Sequence, residues 1–344
     1  MVIIFLLAFL AAIGGAFFLT PLVRLAGVRF GALDRPVERS VHRQPVPTLG
    51  GLAIAGAFAV AVLMAGGPEH AHVMGILAGG AVILLVGVGD DLFNLSPFLK
   101  LLGQAAAGGV LLLFGVQIGY LTDPLRGGMF SSGWAGAPLT VLWVVAVINT
   151  VNLIDGLDGL AAGISGIASL VLFAVALLRG QVEVAVLTAA LAGACFGFLP
   201  HNFNRKAKIF LGDTGAMFLG FAIAAVAVDG TLKSTTAIAL AVPVLALGLP
   251  IFDTAFAILR RLVNGRPIVA ADRNHIHHRL MAAGLSQRQV VVILYLVSVF
   301  LGLAGLAVDF SNGAWTLVGL MLVGLTLGAH RLGVLELKDK GLSG

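Results

Sequence analysis

The chain has 344 residues, of which 59% are hydrophobic and only 11% charged, against about 25% charged in a soluble domain. A mean hydropathy of +1.05 excludes an ordinary soluble fold and predicts an all-α polytopic integral membrane protein. The net charge of +5 is scattered over separate loops, which argues against nucleic acid as a partner and for a basic face attracted to anionic membrane lipids.

A spanning helix takes about 20 mostly apolar residues. Eleven such stretches fall at 2–22, 49–66, 72–89, 98–119, 137–154, 159–178, 182–200, 214–229, 235–259, 290–308 and 313–330. The first has no basic leading region and reads as a span rather than a cleaved signal peptide. Several are rich in Gly and Ala, which suits close packing in lipid. No inverted repeat of the transporter kind is visible. Residues 1–330 read as one transmembrane domain and 331–344 as a short cytoplasmic tail. Cys195 is the only cysteine, so no internal disulfide can form.

Lys and Arg set the orientation. Arg24, Arg29, Arg35, Arg39 and Arg43 follow the first span, Lys100 opens the fourth, and Arg205, Lys206 and Lys208 follow the seventh. Arg260, Arg261, Arg266, Arg273, Arg279 and Arg288 follow the ninth, and Arg331, Lys338 and Lys340 end the chain. Only Arg126, Arg179 and Lys233 fall on the other side. The N-terminus is therefore expected outside and the C-terminus in the cytoplasm.

Polar chemistry gathers on that cytoplasmic side. The first loop, Asp34 to Gly51, is basic, contains proline and ends in Gly50-Gly51. It reads either as a segment ordered over a phosphate or as a consequence of the positive-inside bias. Next comes DDLFNLSPFLKLLGQ, Asp90 to Gln104. Adjacent carboxylates repel, so one is expected to be protonated or metal-bound, which suits a group that takes a proton from a nucleophile. Lys100 supplies a point charge for phosphate. An interfacial loop with ordinary charges is the alternative.

The most informative stretch is NTVNLIDGLDGLAAG, Asn149 to Gly163. Asn149, Asn152, Asp155 and Asp158 recur every three residues, one face of a helix if the segment is helical. Carboxylates and amides facing one cleft are the donors magnesium takes together with substrate phosphates. A Gly-rich turn with capping Asn and Asp is the competing reading. FLGDTGAMFLG, Phe210 to Gly220, offers Asp213 as a magnesium ligand or as a helix cap. The backbone N–H groups of Thr214 and Gly215 there are placed to meet an anion. Asp253, within the ninth span, is either a structural partner for a basic residue or part of the cleft. DRNHIHHRL, Asp272 to Leu280, puts His275, His277 and His278 between Arg273 and Arg279. That pattern suits an anion-binding loop better than a zinc site, because no cysteine is near, and an ordinary exposed loop is the alternative.

In this order the four clusters resemble the polyprenyl-phosphate N-acetylhexosamine-1-phosphate transferases, glycosyltransferase family 4, over about residues 1–330. DDLFNLSPFLKLLGQ is similar to the family's Asp-Asp motif with its downstream lysine. NTVNLIDGLDGLAAG is similar to its Asn-x-x-Asn-x-x-Asp-Gly-x-Asp-Gly segment, FLGDTG to its Gly-Asp-x-Gly motif, and HIHH to its histidine motif. The run His275-Ile276-His277-His278 resembles the WecA and TagO branch, as does the first loop with Arg39, His42 and Gly50-Gly51. The muramoyl-pentapeptide branch tends to carry three successive histidines instead.

The resemblance implies a Mg2+-dependent phosphotransferase, with Mn2+ a possible substitute, in the bacterial inner membrane. Its donor would be a UDP-sugar, most simply UDP-N-acetylglucosamine, and its acceptor undecaprenyl phosphate. The product would be a polyprenyl-diphosphate sugar for a cell-envelope glycan such as teichoic acid or lipopolysaccharide. By motif position Asp90 would be the base and Asp91 its support, with Asp155 and Asp158 also catalytic. Asp213, Asp155 and Asn152 would hold the metal. Lys100, Asn149, Asn152, Arg273, His275, His277, His278 and Arg279 would bind substrate. A homodimer is compatible with the family. The alternatives are the muramoyl-pentapeptide donor, another UDP-N-acetylhexosamine, or, outside the class, a transporter of anionic solutes. A transporter would place its polar site near mid-membrane rather than at one face. A CDP-alcohol phosphotransferase would need an Asp-Gly-x-x-Ala-Arg signature, which is absent.

Overall fold

In lipid every backbone polar group must be satisfied within its own segment, so long apolar runs become helices. The computed structural model describes residues 1–34, 45–123, 128–204, 208–232, 241–265 and 275–310. In chain order these form α1 (Val2–Phe30), β1 (Leu33–Asp34), β2 (Val46–Pro47), α2 (Gly50–Met64), α3 (Ala71–Phe93), α4 (Pro97–Leu113), β3 (Tyr120–Asp123), β4 (Gly128–Ser131) and α5 (Gly136–Ile154). There follow α6 (Leu160–Leu178), α7 (Val182–Asn202), α8 (Gly212–Leu232), α9 (Ala241–Ala246), α10 (Gly248–Val263), α11 (Ile276–Ala282) and α12 (Gln287–Phe310).

The all-α polytopic architecture expected from composition is present. Among the described residues seven helices are long and apolar enough to cross a membrane, namely α1, α3, α5, α6, α7, α8 and α12. α2 and α4 stop at 15 and 17 residues, short of the predicted ends at 66 and 119. Left-handed Gly66 and Gly115 (φ 84° and 77°) follow them, and that conformation closes a helix. α1 runs eight residues past its predicted end at 22, straight through Pro21.

The predicted ninth span is broken into α9 and α10. Pro250 has no N–H to give the Ala246 carbonyl, and its ring crowds that carbonyl, so the first helix ends at Ala246. The predicted eleventh span and the tail lie outside the described residues, as do Arg35, Arg39, His42, Arg43 and Arg273. Two antiparallel hairpins, Leu33 opposite Pro47 and Tyr120 opposite Ser131, were not foreseen from the apolar pattern.

α8 is the central helix. It packs on α2, α3, α5 and α6, and its residues from Ala216 to Val228 are buried, as expected of a helix that is apolar all round. α1 and α2 lie on α7, and α12 lies on α6 and α9. α1 instead leaves Leu6, Leu7, Leu10, Phe18 and Leu22 exposed, the face it offers to lipid. Because successive helices alternate in direction, the C-terminal ends of α3, α5 and α7 meet the N-terminal ends of α2, α4, α6 and α8. The polar motifs occupy that one end.

Candidate active site

The turn between α3 and α4 is built by its own residues. Asn94 takes a left-handed conformation at φ 50° and returns its N–H to the Asp90 carbonyl at 2.8 Å. The Leu95 N–H is accepted by Asp90 Oδ1 at 2.8 Å. Ser96 then caps α4, with Pro97 in its first turn, where proline is tolerated. The result brings Lys100 back onto the buried Asp90, whose Oδ2 pairs with Lys100 Nζ. The same ammonium stands 3.6 Å from Asp213 Oδ2, so one cation bridges two carboxylates from distant motifs.

Asp91 faces the other way. Its Oδ1 accepts the Asp213 N–H at 3.0 Å, and its Oδ2 accepts the Thr214 N–H at 3.1 Å and the Thr214 hydroxyl at 2.6 Å. It therefore caps α8 from a neighbouring helix. Asp91, expected as the support of Asp90, is thus engaged with a helix start, and the anion that meets the Thr214 N–H is Asp91 itself. Asp213 does not cap its own helix. It lies in the first turn of α8, and its Oδ1 accepts from Asn152 Nδ2.

Asn149, Asn152, Asp155 and Asp158 do not share one helical face. α5 ends at Ile154, and Asp155 is already its C-cap at ψ 49°. Asn149 donates to Gln104 Oε1 at 2.6 Å and to the Val145 carbonyl at 2.8 Å, so its NH2 ties α5 to α4. Asn152 reaches Asp213, while Asp155 and Asp158 belong to the following turn. Burial, then the charges of Asp213, Asp91 and Asp158, hold the Asp155 carboxyl well above the usual carboxylate range.

The histidine motif docks on this turn. Asp253 of α10 accepts the Ile276 N–H at 3.0 Å and pairs with His275 Nδ1 at 2.9 Å. Of the two readings offered by the sequence, the structural partner of a basic residue is the one observed. His275 and His277 lie with nearly parallel rings, centroids 5.9 Å apart, and His278 adjoins His277 at 4.2 Å. A Cβ on Gly156 would stand 2.6 Å from His277 Nε2, so only glycine lets that ring reach the acidic turn. Burial pushes His277 down to about 4. His278 is exposed and Arg279 half-buried.

Gly50 and Gly51 are accounted for by backbone pairing. Their N–H groups are taken by the Phe210 and Leu211 carbonyls, each at 3.0 Å. The start of α2 thereby braces the segment leading to Asp213 and offers those two donors to no phosphate. The Thr214 hydroxyl and the side chains of Gln104, Asn202 and Tyr295 are participants to which motif reading gave no role. The available signal was a polar side chain at the end of, or inside, an otherwise apolar run.

Among the described residues no three His, Cys, Asp or Glu side chains form a ready metal cage. The donor set nevertheless fits a hard divalent ion. Magnesium is held by one or two carboxylates, with substrate phosphates and waters completing its shell. Asp213 and Asn152 meet at one point, and Asp155, whose carboxyl feels the charge of Asp213, is a further oxygen donor of that kind.

The family model described as "Glycosyl transferase family 4" matches residues 73–231, the stretch that carries the Asp-Asp, Asn-Asp and Gly-Asp motifs. A protein of Bacillus subtilis named a probable undecaprenyl-phosphate N-acetylglucosaminyl 1-phosphate transferase is 36% identical over 290 residues, 84% of this chain and 81% of that protein. A decaprenyl-phosphate N-acetylglucosaminephosphotransferase of Mycolicibacterium smegmatis is 37% identical, over 81% of this chain and 76% of its own. An undecaprenyl-phosphate alpha-N-acetylglucosaminyl 1-phosphate transferase of Escherichia coli is 29% identical, over 88% and 84%. With likeness of this degree running through the acidic turns and on to the histidines, the chain belongs to glycosyl transferase family 4.

Proposed function

We propose that this protein transfers N-acetylglucosamine 1-phosphate from UDP-N-acetylglucosamine to a polyprenyl phosphate, most simply undecaprenyl phosphate. The observation that carries the reading is Asp213, held between Asn152 and Lys100 and adjoining Asp90, at one end of an apolar bundle. The names of its relatives supply the substrate class. An oxygen of the lipid phosphate attacks the β-phosphorus of the donor. The bond from that phosphorus to the bridging oxygen breaks, UMP leaves, and a polyprenyl diphosphate sugar remains in the membrane.

Such a transfer depends mainly on positioning and charge neutralisation. Asp213, Asn152 and Asp155 would hold Mg2+, which when bound neutralises the diphosphate charge. Asp90 takes the proton from the lipid phosphate, and Lys100 fixes that carboxylate against Asp213. Asp158, His275, His278 and Arg279 line the donor side. Asp91 supports the site by holding the start of α8. The eleven apolar stretches support eleven crossings of the bacterial inner membrane, and the Lys and Arg bias supports an N-terminus outside and a C-terminus in the cytoplasm.

The test is purified protein with undecaprenyl phosphate, MgCl2 and UDP-N-acetylglucosamine labelled in the sugar. Label moves to the lipid phase as UMP appears, and EDTA stops both. Transfer from UDP-muramoyl-pentapeptide alone would move the protein to the other branch. No transfer from any UDP-N-acetylhexosamine would defeat the reading.

A further inference from the structure

Gly159 closes the turn that carries Asp155 and Asp158, and side chains from two other helices hold both sides of its backbone. Asn202, buried at the end of α7, accepts the Gly159 N–H with Oδ1 at 2.7 Å. Tyr295 of α12 donates its hydroxyl to the Gly159 carbonyl at 2.5 Å. Gly159 takes φ 82°, and a Cβ there would stand 2.7 Å from that of Phe203. Phe203 in turn packs on the Tyr295 ring, centroids 6.2 Å apart.

Asn202 has a second bond. Its Nδ2 donates to the Ile209 carbonyl at 3.0 Å, four residues ahead of Asp213. One buried carboxamide thus spans the two acid-bearing segments. With one donor and one acceptor used on opposite sides, shifting either segment leaves a buried polar group unpaired, which is costly.

We propose that Asn202 is a positioning residue that fixes the Asp155–Asp158 turn relative to Asp213, and that Tyr295 holds the same turn from α12. The proposed function underlies the kinetic and MgCl2 parts of the test, while the exchange part stands without it. An ordinary buried asparagine would stabilise α7 and leave the acidic segments as they are. A spacer between them changes how both segments move and how strongly they hold a cation.

Hydrogen–deuterium exchange on the detergent-solubilised full chain separates the two. Asn202→Ser is expected to raise exchange in both 155–160 and 208–214, and Tyr295→Phe in 155–160 alone. Turnover should fall about 10- to 100-fold, as for the loss of outer-shell partners of metal ligands. The MgCl2 needed for half-maximal thermal stabilisation should rise in the same variants. Tyr295→Phe removes a single hydroxyl and carries the test if Asn202→Ser does not fold. Unchanged exchange in 155–160 for Tyr295→Phe, or a rise confined to α7 for Asn202→Ser, would overturn the proposal. If wild-type protein transfers no sugar phosphate, the transferase reading fails while the exchange measurements still decide the role of Asn202.

Discussion

Asp91 and Thr214 join α3 to α8 through two contacts on one oxygen, the Thr214 N–H at 3.1 Å and its hydroxyl at 2.6 Å. Loss of a helix cap costs roughly 0.5–2 kcal/mol. Asp91→Ala is therefore expected to lower the Tm of the detergent-solubilised protein as well as its activity. Thr214→Val, which removes only the hydroxyl bond, should lower Tm less. An Asp91→Ala protein that melts like wild type yet is inactive would return Asp91 to the chemistry.

Asp213 meets Asn152 on one oxygen and stands 3.6 Å from Lys100 on the other. Asp213→Asn keeps its size but removes the charge that a divalent ion and Lys100 both use. Turnover should drop by about 100- to 1,000-fold, the scale for losing one electrostatic contact to a transition state. Thermal stabilisation by MgCl2, expected of the wild type, should vanish with it. Retained stabilisation by magnesium would place the ion on other oxygens.

The bundle was legible because apolar length alone specifies a membrane helix. The broken ninth span was not, because hydropathy is indifferent to whether a proline's lost bond falls on a carbonyl that needs it, as at Ala246 and Pro250. The motifs named the acidic groups but not their partners. Asp90 and Asp91 are adjacent in sequence and point to different tasks, one to Lys100 and one to α8, and that division depends on helices far away along the chain. The regular spacing of Asn149 to Asp158 suggested one helical face. Gly156 and Gly159 end that regularity, and the last two acids gain a turn with its own supports.

Asp253 and His275 should behave as one unit. Asp253→Ala removes the partner of His275 Nδ1 and of the Ile276 N–H together, freeing the start of α11. Asp253→Asn keeps one acceptor and should retain more activity. In a double-mutant cycle with His275→Gln, the two losses should fail to add, with a coupling of about 0.5–3 kcal/mol in kcat/KM. Simple additivity would mean that Asp253 acts elsewhere.

His277 is buried, and Nδ1 has no hydrogen-bond partner among the described residues. Burial, with repulsion from His278 and His275 and against the attraction of Asp253, lowers it to about 4, whereas an unfolded histidine titrates near 6.5. Between those values the unfolded chain binds a proton that the folded one does not. Stability therefore falls as pH drops through that window, by at most about 1.4 kcal/mol per pH unit from this group. His277→Gln should flatten the decline of Tm between pH 6.5 and 4. Parallel profiles for the two proteins would show that the ring is not buried neutral. A neutral His277 also narrows the role of the motif. Near neutral pH the His277 ring brings hydrogen-bonding atoms to the Gly156 turn but no positive charge, so balancing a diphosphate would fall to other groups such as Lys100 and Arg279.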